Sequence, residues 1–192
     1  MCGTASNSRY TETEDQLMSK SGYLWAIGFD DTGRAAQVRD EITRLGWEKH
    51  CLILLDVAVA VRYPDGSFTL NGEPFLDVNN IVGCNAACFL AGLALGAPPL
   101  TGAAVRFVLG SFGADAVEGV ISDNFVREVE RLIKPGTSVL FVLDEGGDMD
   151  AILHAIRGLD GTVLKSNVDL ERAKLIQATL AASTGTTQSN NL

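Results

Sequence analysis

The spacing of apolar residues along this chain changes period at almost every glycine or acidic turn. Tyr23-Leu24-Trp25-Ala26-Ile27-Gly28-Phe29 is one apolar run, short enough for a strand, and it stops at Asp30-Asp31-Thr32-Gly33. Beyond it Ala35, Val38, Ile42 and Leu45 recur at helical spacing. The pattern predicts a strand and then an amphipathic helix, capped by Asp31 or Thr32 and closed by Gly46. From Cys51 to Tyr63 the period returns to two, with Val57, Val59 and Val61 set against Ala58, Ala60 and Arg62. Pro64-Asp65-Gly66 is a turn signal, and Ser67-Phe68-Thr69-Leu70 reads as the returning strand of a hairpin.

The period changes again between Ile81 and Gly113. Cys84, Cys88, Gly92 and Gly96 recur every four residues, with Gly83, Ala87 and Ala91 on the adjoining row, so this segment predicts a helix with a stripe almost free of side chains. Pro98 and Pro99 stop it, because neither offers an N–H and each pushes the preceding residue out of the helical region. A second helix restarts near Leu100, and Gly102, Gly110 and Ala114 continue the small-residue row through Arg106. The expectation is a glycine-rich helical hairpin, capped by Asn79 or Asn80, whose packing residues are Gly83, Cys84, Ala87, Cys88, Gly92, Gly96, Gly102 and Gly110. Each arm is about 15 residues, or roughly 22 Å of helix, against a hydrocarbon core of about 30 Å. A full membrane span is therefore not expected. Burial in the core of an oligomer and shallow or assisted membrane association stand as equal alternatives.

After the hairpin, Ser122-Asp123-Asn124 opens a helix that ends at Lys134-Pro135-Gly136, and Thr137 to Leu143 is a strand. Asp144-Glu145-Gly146-Gly147 precedes a helix carrying Met149, Ile152, Leu153 and Ile156. Gly161 to Ser166 is the last strand, and Asp169 caps a final helix to about Ala182. Both ends of the chain thus repeat a β-α-β grammar. They predict an α/β (α+β) domain with a ferredoxin-like mixed sheet made of two β-α-β halves, the glycine-rich hairpin being inserted between them. A flavodoxin-like parallel sheet is the competitor, and the hairpin around Pro64 favours the mixed one. The expected organisation is a disordered tail over 1–22, one domain over 23–182 with the insertion at 80–114, and a polar tail over 183–192.

Composition narrows the function. With 46% hydrophobic and 20% charged residues, a chain of 192 residues can bury a core, while a net charge of −9 and a pI near 4.6 disfavour nucleic acid and anionic lipid as partners. Cys2, Cys51, Cys84 and Cys88 form no disulfide-rich framework, which suggests a reducing cytoplasm. Asp30 and Asp31 with Asp144 and Glu145 sit at strand ends, where paired carboxylates can hold a divalent cation. Helix capping is the better account of them. Cys84 and Cys88 could complete a metal site with His50 or His154, but zinc sites draw their cysteines from turns, and small-residue packing explains the pair better. No phosphate-binding loop occurs, and two histidines without a nucleophile pattern give acid–base chemistry little material. No cofactor, metal or catalytic residue is expected.

Five segments together carry a resemblance: IGFDDTGRA, DVAVAVRYPDGSFTL, LAGLALGAPPLTGAAV, ISDNFVREVERLIKPGTSVLFVL and GTVLKSNVDLE. Over roughly Tyr23 to Ala182 the chain resembles the bacterial and archaeal domain-of-unknown-function 1269 family. That resemblance implies no activity, and members often carry the label of predicted membrane protein because of the central stretch. Cys84, Asn85 and Cys88 depart from the plain Gly, Ala and Leu usual there, and Arg106 interrupts the second arm, which weakens the membrane label. The function expected is that of a non-enzymatic structural or interaction protein, a homo-oligomer of the cytoplasm. Contact with the inner membrane or a membrane protein is the second possibility. A regulatory small-molecule or metal-binding domain is the alternative class.

Overall fold

A computed structural model describes residues 21–49, 54–74, 84–96, 120–144 and 161–186. They form six strands and four helices: β1 (Ser21–Phe29), α1 (Arg34–Lys49), β2 (Leu54–Arg62), β3 (Phe68–Leu70), β4 (Glu73–Pro74), α2 (Ala86–Ala94), α3 (Asp123–Leu132), β5 (Thr137–Asp144), β6 (Thr162–Asp169) and α4 (Leu170–Thr186). The strands make one sheet in the order β4-β3-β2-β5-β1-β6. Every pairing is antiparallel, with Trp25 of β1 opposite Val142 of β5 on one side and Lys165 of β6 on the other. A parallel flavodoxin-like sheet is thereby excluded.

β5 lies near the middle because its sequence, TSVLFVLD, is apolar on both faces, and all of its residues are buried. Side chains alternate across a strand, so the sheet builds two separate cores. Leu24, Ala26, Ala58, Ala60, Val139, Phe141 and Leu143 point to the face covered by α2, α3 and α4. Trp25, Ile27, Phe29, Val59, Val61, Leu140 and Val142 point to the other, where Ala35, Val38 and Ile42 of α1 join them.

Several boundaries differ from the sequence expectation. β1 begins at Ser21, two residues ahead of Tyr23, and α4 runs to Thr186, beyond Ala182. α1 continues through Gly46 to Lys49; a glycine inside a helix costs only about 0.5–1 kcal/mol relative to alanine, too little to end one that is otherwise supported. The expected cap at Asp31 or Thr32 is replaced by a residue from another strand. Ser138 of β5, fully buried, accepts from the Ala35 N–H at 3.2 Å and donates to the Asp31 carbonyl, while the Asp31 carboxylate accepts from the Gly33 N–H at 2.7 Å. Asn71-Gly72, both at positive φ (51° and 85°), turns β3 into β4. Asn-Gly is the standard dipeptide for such a two-residue turn.

Ser122 caps α3 and Asp169 caps α4 as expected, the latter accepting from the Arg172 N–H at 3.0 Å. The first arm of the predicted hairpin is α2. It has 9 residues, is capped by Asn85 instead of Asn79 or Asn80, and ends at Ala94, with Gly96 beyond the C-cap at φ 64°, before the prolines are reached. The second arm, from Leu100, and the helix predicted around Met149 lie outside the described residues.

Candidate functional site at the start of helix α2

The first turn of α2 is held from three directions. A register shift in the β2–β5 ladder between Leu54 and Asp56 marks a bulge, the kind of irregularity that re-aims a side chain. Asp56 uses both carboxylate oxygens. One accepts from its neighbour Val57 N–H at 2.9 Å and from the Asn85 amide at 2.5 Å, and the other accepts from the Ala87 N–H at 3.3 Å. Asn85 in turn accepts from the Cys88 N–H at 2.9 Å. From α4, the Gln177 amide donates to the Cys84 carbonyl at 2.7 Å. Backbone donors that a helix start leaves unpaired are thus met by two side chains, one of them an anion suited to the positive end of the helix dipole.

Asp56 is half-buried, and that desolvation raises its carboxyl above the ordinary value of 3.8, against the pull of hydrogen bonds from the Ala87, Val57 and Ala86 backbones. Beside it Cys84 and Cys88 are joined in a disulfide across a separation of 4 residues, with Cα atoms 5.9 Å apart. Cys88 is 2% exposed, whereas Cys84 is only partly buried.

The predicted packing residues do not form one continuous stripe. Cys84 precedes the cap, because Asn85 is extended (φ −68°, ψ 170°), and Gly96 follows the helix in the left-handed region. Ala87, Cys88 and Gly92 lie on α2, within a run buried without exception from Ala87 to Ala94. α2 contacts β2, β5, α3 and α4 of its own chain. Gly83, Gly102 and Gly110 lie outside the described residues.

The paired-carboxylate idea fails on topology. β1 and β5 are antiparallel, with Phe29 opposite Ser138 and Tyr23 opposite Asp144, so Asp30 and Asp31 sit at one end of the sheet and Asp144 at the other. At 3.4 Å per residue the separation is about 20 Å. Glu145 is outside the described residues, as are His50 and His154. Cys84 and Cys88, being bonded to each other, are not available as thiolate ligands in this state. Among the described residues no group of three or more His, Cys, Asp or Glu is arranged to hold a metal.

Three contacting groups escaped the sequence reading. Asp56 had a visible signal, as the one charge interrupting the apolar run CLILLDVAVAV. Gln177 had none, since nothing in a helix sequence announces a partner far away in the chain. Lys165, whose ammonium lies 3.8 Å from the Tyr23 ring centroid and 4.5 Å from that of Trp25, could be found only once the β1–β6 register was known.

Fold and site define an α+β domain in which an antiparallel sheet carries helices on both faces, with an enclosed, disulfide-clasped helix against one of them. Residues 83–181, more than half of the chain, match the family model described as Protein of unknown function (DUF1269), and the chain belongs to that family. The match takes in the cysteine pair, α2, α3, β5, β6 and most of α4, but begins after β1–β4, so Asp56 lies ahead of it. No curated protein and no solved structure matches the chain.

Proposed function

We propose that this protein is a non-enzymatic interaction protein of the cytoplasm that associates with copies of itself through the second arm of its glycine-rich segment, Leu100 to Ala114. The observation that supports this reading is the burial of every residue from Ala87 to Ala94 within the chain's own core. The first arm is covered by strands and helices of its own chain. The second arm keeps the same composition, with Gly102, Gly110 and Ala114 at four-residue intervals through a single charge, Arg106. A row of small residues lets a second backbone approach closely. We read the domain around it as ferredoxin-like, because β2-β5-β1-β6 is the strand order that two interleaved β-α-β halves produce.

The net charge of −9 opposes adhesion to an anionic lipid surface, and among the described residues no helix is long and apolar enough to cross a membrane. Contact with the inner membrane would therefore run through the apolar second arm or through a membrane protein. The test is detergent-free lysis and fractionation, followed by light scattering coupled to size exclusion. A discrete oligomer that Gly110→Leu converts to a folded monomer supports the proposal. A monomer at all concentrations contradicts it, and recovery only from the membrane pellet replaces self-association with membrane contact.

A further inference from the structure

The backbones on both sides of the Cys84–Cys88 bond are held by contacts that involve no sulfur. Gln177 ties down the Cys84 carbonyl at 2.7 Å, Asn85 holds the Cys88 N–H at 2.9 Å, and Asp56 holds both Asn85 and the Ala87 N–H. None of those hydrogen bonds depends on the sulfur–sulfur bond, so they favour keeping the two thiols within reach of each other once it opens. Such proximity favours reclosure in the way any preorganised intramolecular reaction is favoured. The bond also closes only a short loop, with a separation of 4 residues, and short loops gain the least from a crosslink. A pair built this way adds little as a staple and recloses readily once opened.

From these contacts we propose that Cys84 and Cys88 form a thiol–disulfide exchange site whose exchange partners, stoichiometric and not turned over, are low-molecular-weight thiols and disulfides of the glutathione class. The unequal exposure sets the order of events. Cys84, the more exposed residue of the pair, takes the attack of an incoming thiolate; the Cys84–Cys88 bond breaks, Cys88 leaves as a thiolate and takes a proton from solvent, and a mixed disulfide remains on Cys84. A second thiolate attacks the outer sulfur of that mixed disulfide and releases Cys84 as a thiolate, which is protonated. The net change is two thiols oxidised to one small disulfide as the protein disulfide is reduced to two thiols. Closure is the reverse, with the small disulfide as oxidant.

The experiment uses the full chain, folded, in buffers of reduced and oxidised glutathione swept across ratios, then acid quench, alkylation and peptide mass spectrometry, which separates this pair from Cys2 and Cys51. The expected result is a complete, reversible passage between dithiol and disulfide, with the Cys88→Ala variant trapping a glutathione adduct on Cys84. In Cys84→Ala the adduct on buried Cys88 forms at least about tenfold more slowly. A pair that stays closed in reduced glutathione alone, or open in oxidised glutathione alone, overturns the proposal, and this sweep needs no variant. Equal adduct rates on the two cysteines, in variants with the wild-type circular dichroism spectrum, overturn the assigned order and with it the site.

Discussion

α1 and α2 lie on opposite faces of the same sheet and solve the same problem in opposite ways. α1 buries one stripe, Ala35, Val38 and Ile42, and keeps exposed ion pairs such as Arg39–Asp40 and Arg44–Glu41 elsewhere. α2 has no such outside, being buried from Ala87 to Ala94 with neither an acidic residue in its first turn nor a basic one in its last. A helix buried along its length from Ala87 to Ala94 needs small residues so that sheet and neighbouring helices can close over it, and the unpaired N–H groups of its first turn need acceptors. Asp56 and Asn85 supply those partners. α1 draws its buried cap partner from Ser138 and otherwise relies on solvent-exposed polar groups. Sequence composition thus reports how enclosed a helix is, but not by whose atoms.

The contrast can be broken by substitution. The largest effect is expected from Phe89→Ala, which truncates an α2 side chain only 1% exposed; truncating a buried phenylalanine costs about 3–5 kcal/mol, read by urea denaturation. Gln37→Ala on the exposed side of α1 is expected to shift the same midpoint by less than about 0.5 kcal/mol. Next comes the clasp. Replacing both Cys84 and Cys88 by Ala removes a crosslink spanning 4 residues, for which loop-closure entropy gives about 2 kcal/mol, and a loss far above that would mean the bond is a structural staple.

Asp56→Asn is expected to cost about 1 kcal/mol at neutral pH, the scale of one impaired hydrogen bond. Its pH dependence sharpens the point. Asp56 has a folded value raised above 3.8, so the native state holds the proton more tightly than the unfolded chain. The stability this contributes is full below 3.8 and is lost as pH rises through the raised value. The deficit of Asp56→Asn relative to wild type therefore shrinks as pH rises from about 3 to 7; a deficit that grew would mean the carboxylate is stabilised rather than desolvated in the fold. The smallest effect is expected from Arg44→Ala, which removes an exposed pair with Glu41 and leaves the thermal midpoint unchanged within error.

What could be read from the chain follows the same division. Strand periods and the caps at Ser122 and Asp169 were legible because each is written in neighbouring residues. The four-residue recurrence of small residues correctly flagged a buried helix, yet extended it across Cys84, which precedes the extended cap Asn85, and Gly96, which follows the helix in the left-handed region. Spacing alone carries no dihedral information. The Cys84–Cys88 bond was overlooked because a separation of 4 on a helix reads as packing, and only the extended cap at Asn85 reveals that one cysteine lies off the helix. The carboxylate cluster failed for the converse reason, since strand direction, on which the meeting of Asp31 and Asp144 depends, is a property of pairing and not of either strand.

Assembly through the second arm requires that α2 belong to its own chain's core. Hydrogen exchange of the peptides covering 84–96, followed by mass spectrometry across a dilution series from assembled to dissociated protein, tests that most directly. The expected result is protection of the α2 amides that is the same at both ends of the series, with gains in exchange confined to the segment from Leu100 to Ala114. Loss of α2 protection on dissociation would show that another chain, not the sheet beneath it, covers this helix.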